Sequence, residues 1–165
     1  MTRRLNPEKT TKKSISSVKN LCRALNISEK DLGEALSIPV EEKYVEVNVP
    51  KSDGSLRKVH RPHFLIRRIQ RRINARILKG LVLWPSYIYG SVPNEYDDEG
   101  NVLYNKDYIH CAASHCGAKS LLKVDIKDFF DHVHEYHVHQ VFERFFDYPS
   151  DVSKVLTDLC CHNES

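Results

Sequence analysis

Between Tyr44 and His60 the hydrophobic period changes from that of a helix to that of a strand, and this change restricts the chain to folds that mix the two. Val45, Val47 and Val49 alternate with Tyr44, Glu46 and Asn48 until Pro50 ends the run. A period of two sets alternate side chains on opposite faces of a strand. Ser52-Asp53-Gly54-Ser55 supplies the turn, because glycine takes the positive φ that a tight hairpin demands, and Leu56 to His60 returns as the second strand. On both sides the spacing is helical. Ile15, Val18, Leu21 and Leu25 recur one turn apart, and Ser28 followed by Asp31 forms a capping box opening a short helix through Leu36. After Pro62, the positions Leu65, Ile66, Ile69, Ile73 and Ile77 make one apolar stripe on a long helix stopped near Gly80.

Further along, Tyr87 to Tyr89 reads as a short strand and Val92 to Val102 as a polar loop. A helix from Asn105 to Cys116 closes at Gly117, and Leu121 to Ile126 is expected to be a buried strand with Asp125 near its end. Tyr136 to Phe146 is helical, with Val138, Val141, Phe142 and Phe145 inward, and Pro149 separates it from a last helix beginning near Asp151. The fold class is therefore α+β. Three regions are expected: a helical N-terminal segment over 1–43, a mixed region over 44–118, and a third beginning at 119 and running to 165.

A chain of 165 residues with 41% apolar and 28% charged residues can bury a core of its own. Its net charge is only +3, but the distribution is uneven. Arg57 to Lys79 carries nine Lys or Arg and no acid, whereas Glu95 to Glu99 holds four acids in five residues. The basic stretch fits either contact with a polyanion or a solvated helix face. Five cysteines form no regular framework, no N-terminal run resembles a signal peptide, and no apolar run approaches the ~20 residues that span a bilayer. A cytoplasmic protein with reduced thiols and no membrane role is expected.

Leu121 to Phe130 reads Leu-Leu-Lys-Val-Asp-Ile-Lys-Asp-Phe-Phe. A lone Asp125 in an apolar run, followed by a bulky aromatic, is what nucleotide polymerisation requires of one strand. Metal-bound carboxylates neutralise charge and activate the attacking hydroxyl, with the two ions roughly 3.5 to 4 Å apart. Asp125 supplies one carboxylate and the backbone carbonyl of Ile126 a second hard oxygen, which suits Mg²⁺ or Mn²⁺. On this spacing alone, an Asp at the end of an apolar strand is more often a helix cap or turn former. Phe130 would crowd the sugar of a bound nucleotide and exclude a 2′-hydroxyl, or simply fill a core. Lys51 and Arg57, on opposite arms of the hairpin, could reach a triphosphate. Arg67, Arg68, Arg71, Arg72 and Arg76 could follow a phosphate backbone, giving affinity without sequence readout. The His110-Cys111 and His115-Cys116 pairs, the cluster of His132, His134, His137 and His139, and the Cys160-Cys161-His162 end all lack the paired-cysteine spacing of a structural zinc site.

Three segments in order carry a resemblance: Lys51-Ser-Asp-Gly-Ser-Leu-Arg57, then Arg61-Pro62 with Ile69-Gln-Arg-Arg-Ile73, then Leu122-Lys-Val-Asp-Ile-Lys-Asp-Phe-Phe130. Together, from about Tyr44 onward, the chain resembles bacterial reverse transcriptases of the retron and group II intron type. The resemblance implies an RNA-directed DNA polymerase with a right-hand fold. Residues 44–118 would belong to the fingers and residues from 119 to the start of the palm. It implies Asp125 as first metal ligand, Phe130 as sugar gate, Lys51 and Arg57 on the triphosphate, and the backbone amides of Asp128 and Phe129 on its phosphates. His115 matches a position in the helix before the palm strand, where it packs. The implied partners are an RNA template, a DNA or RNA primer, deoxynucleoside triphosphates and a cognate structured RNA.

The sequence departs from that family at Tyr89-Gly90-Ser91-Val92-Pro93, where the template-contacting motif is loose, at the acidic run Glu95 to Glu99, and at Asp131-His132 after the aromatic pair. The family's Gln-Gly loop, Asp-Asp turn and thumb do not occur before Ser165. The expectation is an N-terminal portion, inactive alone because it holds one carboxylate of the set. A non-catalytic RNA-binding module and a truncated remnant are the alternatives.

Overall fold

The computed structural model describes residues 4–127 and 129–162. A strap at the start of the chain contributes the short strand β1 (Glu8–Lys9), followed by α1 (Val18–Leu25), α2 (Glu29–Leu36) and a single turn, α3 (Val40–Lys43). The hairpin of β2 (Tyr44–Pro50) and β3 (Leu56–Pro62) leads into α4 (Phe64–Ile73), which continues through a π-helical turn, Asn74–Leu78. Then come β4 (Val82–Leu83), the small pair β5 (Glu95–Tyr96) and β6 (Val102–Tyr104), α5 (Tyr108–Ala113), and a 3-10 turn at Phe129–His132. The chain closes with α6 (Glu135–Gln140), a second π-helical turn at Val141–Phe145, and α7 (Ser150–Cys160). Among the described residues no helix is long and apolar enough to cross a membrane.

Local chemistry fixes these boundaries. The Ser17 side chain caps α1 by accepting from the Asn20 amide, and Asn26 ends the helix in the left-handed region at φ 55. Ser28 and Asp31 make the reciprocal capping box read from the sequence: the Asp31 amide donates to Ser28 Oγ at 2.9 Å while the Ser28 amide donates to Asp31 Oδ2 at 3.3 Å. Gly80 stops the basic helix by a route other than left-handed geometry. A Cβ there would sit 3.0 Å from the Arg76 carbonyl oxygen and 3.2 Å from that of Ala75, a tighter approach than side chains ordinarily make, which glycine avoids.

One core joins these elements. Leu21 and Leu25 of α1, Ile66, Ile69 and Ile73 of α4, and Val152, Leu156 and Leu159 of α7 are all fully buried and belong to one cluster. Each such side chain contributes about 1.5–3 kcal/mol relative to an exposed one. Phe142, Phe146 and Tyr148 extend the cluster, with the Phe146 and Tyr148 rings stacked at 5.3 Å. The buried Ser153 and Thr157 are satisfied by carbonyls, Thr157 Oγ1 donating to Ser153 at 2.8 Å. The strap binds the far ends of the chain together. β1 pairs antiparallel with β4, Lys9 Nζ donates to the Phe146 carbonyl at 3.0 Å, and Ser14 Oγ donates to that of Asp147.

Four expectations are corrected. Leu121–Ile126 is neither buried nor paired: Leu121, Leu122, Val124 and Ile126 are exposed, and no strand among the described residues lies beside them. An extended segment without neighbours leaves its backbone groups to water, so an apolar run alone does not make a strand. Tyr87–Tyr89 is not a strand: the turn lies at Ser86–Tyr87, with the Ile88 amide donating to the Pro85 carbonyl at 3.2 Å, and the neighbouring strand is instead Val82–Leu83, which finds a partner in the strap. The stretch read as a loop contains β5 and the first residue of β6; the two strands pair Glu95↔Tyr104 and are joined by a turn in which Asp97 accepts from the Glu99 and Asn101 amides. Finally, Val141 is exposed and Phe146 is buried. The π-helical turn, in which the Phe146 amide donates to the Val141 carbonyl at 3.1 Å, inserts a residue and rotates the inward face.

Candidate functional site

The β2–β3 hairpin projects from the core with Val45 and Val49 exposed. Register runs unbroken from Tyr44↔Pro62 to Pro50↔Leu56, so Arg57 lies opposite Val49 and the tip is the loop between them. The Lys51 amide donates to the Ser55 carbonyl at 2.7 Å, the Gly54 amide to the Lys51 carbonyl at 3.1 Å, and Gly54 takes φ 83. Ser55 donates its hydroxyl (2.7 Å) and its amide (2.9 Å) to Asp53 Oδ1. These bonds hold the Asp53 carboxyl below its ordinary range, the hydroxyl contributing most. The tip encloses an open recess of about 290 Å³ lined by Val49, Pro50, Lys51, Ser52, Asp53 and Arg57. Lys51 and Arg57 thus border one concavity, where two cations outweigh one anion.

The five arginines of the basic helix divide into two sets. Arg68, Arg72 and Arg76 recur every four residues on the side facing α1 and α2. Arg68 pairs with Asp31, whose carboxyl is pulled down first by the Ser28 hydroxyl and then by this guanidinium. Arg72 Nη1 donates to the Leu25 carbonyl at 3.1 Å and Arg76 Nη1 to that of Ala24 at 3.3 Å. Both meet the negative end of α1, where cations are favoured. Arg67 and Arg71 are exposed and make no side-chain hydrogen bond or ion pair among the described residues. Phe64 is three residues before Arg67 and is 69% exposed on the same helical face. Gln70, between the two sets, donates to Tyr44 Oη at 2.9 Å and to the Leu159 carbonyl at 2.7 Å, tying the hairpin root to α7. Burial pushes the Tyr44 hydroxyl up to about 12, and the hydrogen bond from Gln70 works against that rise.

Asp125 stands exposed in the extended segment, and no residue of 121–127 lines the hairpin recess. Phe129 and Phe130 meet edge to face at 5.3 Å in the 3-10 turn, with Phe130 85% exposed. Asp128 lies outside the described residues. Among the described residues no three His, Cys, Asp or Glu side chains converge on a point where a metal could bind. The donor types at Asp125 and the Ile126 carbonyl are hard oxygens, as Mg²⁺ prefers, but one carboxylate without a second falls short of a two-metal site. No chemical step can be assigned to an ion held by these residues alone.

A second concavity escaped the sequence reading. A cleft of about 580 Å³ lies among the strap, the turn after β4, the β5–β6 pair and α5. Its floor includes Lys106, which is 6% exposed. The Lys106 ammonium donates to the Ser86 carbonyl at 3.0 Å, pairs with Glu95 Oε1 at 3.1 Å, and sits 5.1 Å from the centre of the Tyr89 ring. Tyr87, Tyr89 and Tyr104 line the walls together with Arg4, Cys111, Ser114 and His115. Glu95, read as part of an acidic run in a polar loop, is therefore an internal counter-ion. Only the pairing of β5 with β6 brings it near Lys106, and a sequence window does not reveal that pairing. The sequence reading took all five arginines as one set along a phosphate backbone; the structure separates them, because Arg68, Arg72 and Arg76 already have partners on α1 and α2.

No protein-family model matches the chain, and no solved structure is significantly similar to it. Three curated proteins are similar. The Retron Ec48 reverse transcriptase of Escherichia coli is 41% identical over 150 residues, which cover 91% of this chain and 36% of that protein. The Retron Se72 reverse transcriptase of Salmonella heidelberg (strain 579083-10) is 26% identical over 150 residues, 90% of this chain and 36% of that protein. The Retron Mx65 reverse transcriptase of Myxococcus xanthus is 34% identical over 90 residues, 54% of this chain and 18% of that protein. The chain thus spans about a third of the length of the first two relatives.

Proposed function

The chain is homologous to retron reverse transcriptases over about a third of their length, and on that premise we propose that it forms the fingers and the first palm motif of an RNA-directed DNA polymerase. The observation that carries the proposal is the 41% identity to the Ec48 enzyme across 91% of the chain. The hairpin tip supports it independently, since Lys51 and Arg57 border one open recess. There a triphosphate would meet two cationic heads, with Arg57 offering a planar fork of donors to phosphate oxygens.

In the whole polymerase, Asp125 and the Ile126 carbonyl would hold one divalent cation, Mg²⁺ or Mn²⁺, which supplies charge neutralisation at the transferring phosphoryl group. The remaining carboxylates must come from elsewhere in the polymerase. Phe130, exposed in the 3-10 turn, would close over the sugar and discriminate against a 2′-hydroxyl, while the Asp128 and Phe129 amides would meet the phosphates. Arg67 and Arg71 would follow the template or primer backbone. Arg68, Arg72 and Arg76 are assigned to holding α4 on α1 and α2.

The test joins this chain to the remaining two-thirds of the E. coli relative and measures primer extension on an RNA template with deoxynucleotides and Mg²⁺. Extension that Asp125→Asn abolishes, while RNA binding persists, supports the proposal. RNA binding without extension in the unsubstituted fusion, given a fusion that folds, favours a non-catalytic RNA-binding module. Extension that survives Asp125→Asn refutes the role of Asp125.

A further inference from the structure

We propose that the cleft floored by Lys106 is a second nucleotide site, taking one phosphorylated nucleoside with its base against tyrosine rings and its phosphate near Arg4 and His115. Neither the hairpin recess nor Asp125 contributes to it, since Lys51, Arg57 and Asp125 are absent from its walls. Its volume, about 580 Å³, falls within the ~300–1,000 Å³ typical of small-molecule clefts. Tyr87, Tyr89 and Tyr104 offer aromatic faces, on which bases of any identity stack because every base has a π-face.

The floor is preorganised. Lys106 already spends its charge on Glu95 and the Ser86 carbonyl and sits over the Tyr89 ring. It therefore fixes the turn, the β5–β6 pair and one ring in place, and it is not the group that meets an anion. That task falls to Arg4 and His115. Arg4 Nη1 donates to the Trp84 carbonyl at 2.8 Å and its Nε lies 3.9 Å from the exposed Glu8 carboxylate, while its Nη2 makes no hydrogen bond among the described residues and is left to meet a phosphate. His115 lies in the turn that follows α5, with an exposed side chain. A guanidinium and an imidazole at the rim above a neutral, aromatic floor match a nucleotide, which is anionic at one end and flat and apolar at the other. The same chemistry is presented by a free nucleotide and by an unpaired nucleotide within a strand.

The test is calorimetric titration of the 165-residue chain with AMP, with adenosine, and with an RNA octamer that carries either its bases or an abasic centre. Tyr104→Ala should weaken AMP or octamer binding by about tenfold, whereas Tyr104→Phe, which keeps the ring, should leave it within about twofold. Arg4→Gln should weaken AMP but not adenosine. Ser114→Leu, which fills the cleft and keeps every ring, should reproduce the loss. Circular dichroism confirms that each variant is folded. Binding of AMP as tight as that of the octamer identifies a free nucleotide as the ligand. Tighter octamer binding that is lost with both the abasic centre and Tyr104→Ala identifies an unpaired nucleotide of a strand. No binding of AMP or octamer, or binding that Tyr104→Ala and Ser114→Leu leave unchanged, overturns the proposal. Because no turnover is read, a failure of primer extension in the fused polymerase leaves this result intact.

Discussion

Replacing Arg67 and Arg71 with glutamine should weaken RNA binding without loosening the fold, and the same change at Arg72 and Arg76 should do the reverse. The outward pair is exposed and makes no side-chain hydrogen bond or ion pair among the described residues. If each member neutralises one phosphate of a single strand, each contributes about −0.7 to the slope of log affinity against log salt. Removing both should flatten that slope by about 1.4, so that the affinity deficit shrinks about sevenfold between 50 and 200 mM salt. The inward pair bonds the Leu25 and Ala24 carbonyls at 3.1 and 3.3 Å. A hydrogen bond to a charged donor is worth ~1.5–3 kcal/mol when buried. Half-exposed Arg72 keeps about 1 kcal/mol of that after screening and exposed Arg76 only a few tenths. For a chain of this size that is about 2–5 °C of melting temperature. Fluorescence anisotropy of a labelled RNA across a salt series, with thermal melts of the same samples, reads both quantities. The division of the helix is refuted if the inward pair flattens the salt slope as much as the outward pair, or if the outward pair costs the larger share of stability.

Leu156→Ala empties a fully buried position in the core shared by α1, α4 and α7 and should cost about 2–5 kcal/mol in urea unfolding; a loss under about 1 kcal/mol would mean the core is not closed there. Gly80→Ala places a Cβ 3.0 Å from a helix carbonyl oxygen and should destabilise by roughly 1–3 kcal/mol, whereas a melting temperature unchanged or raised would show that this approach is not needed. Asp31, Asp53, Asp97 and Asp107 all titrate below their ordinary value of 3.8 in the folded chain because Ser28, Ser55, Asn101 and His110 respectively donate to them. A depressed folded value gives stability that is present above the unfolded value and is lost as pH falls through the folded one. Melting temperature should therefore decline below about pH 4, and Asp31→Asn should make that decline shallower; an identical pH profile for the variant would exclude Asp31 as a source of the acid sensitivity.

What the sequence revealed was local. The capping box of Ser28 and Asp31, the hairpin turn around Gly54 and the α7 start near Pro149 are decided by residues within four positions of one another, and each stands where its chemistry demands. The apolar stripe Ile66, Ile69, Ile73, Ile77 was legible for the same reason. What sequence could not supply was pairing. Leu121–Ile126 has the composition of a buried strand, yet a strand exists only beside another, and that partner is not among the described residues. Conversely, Val82–Leu83 looks unremarkable until the strap lies beside it. At the candidate site, Lys51 and Arg57 could be read onto one hairpin tip because its register is local, while Lys106 and Glu95 were missed because their contact depends on a second hairpin hidden in polar sequence.

The strap also sets a timetable. Lys9 and the Phe146 carbonyl it binds are separated by 137 residues. At ~5–20 residues per second, a ribosome needs about 7–27 s to make that interval, during which α1 and its strap wait with Leu21 and Leu25 uncovered by α7. Closure depends on contacts between distant parts of the chain, so folding should be slow and should finish only after α7 has emerged. For that time the nascent chain offers an apolar helix face to whatever is nearby, and a chaperone that holds α1 early would raise the yield of the finished fold more than one that acts on the completed chain.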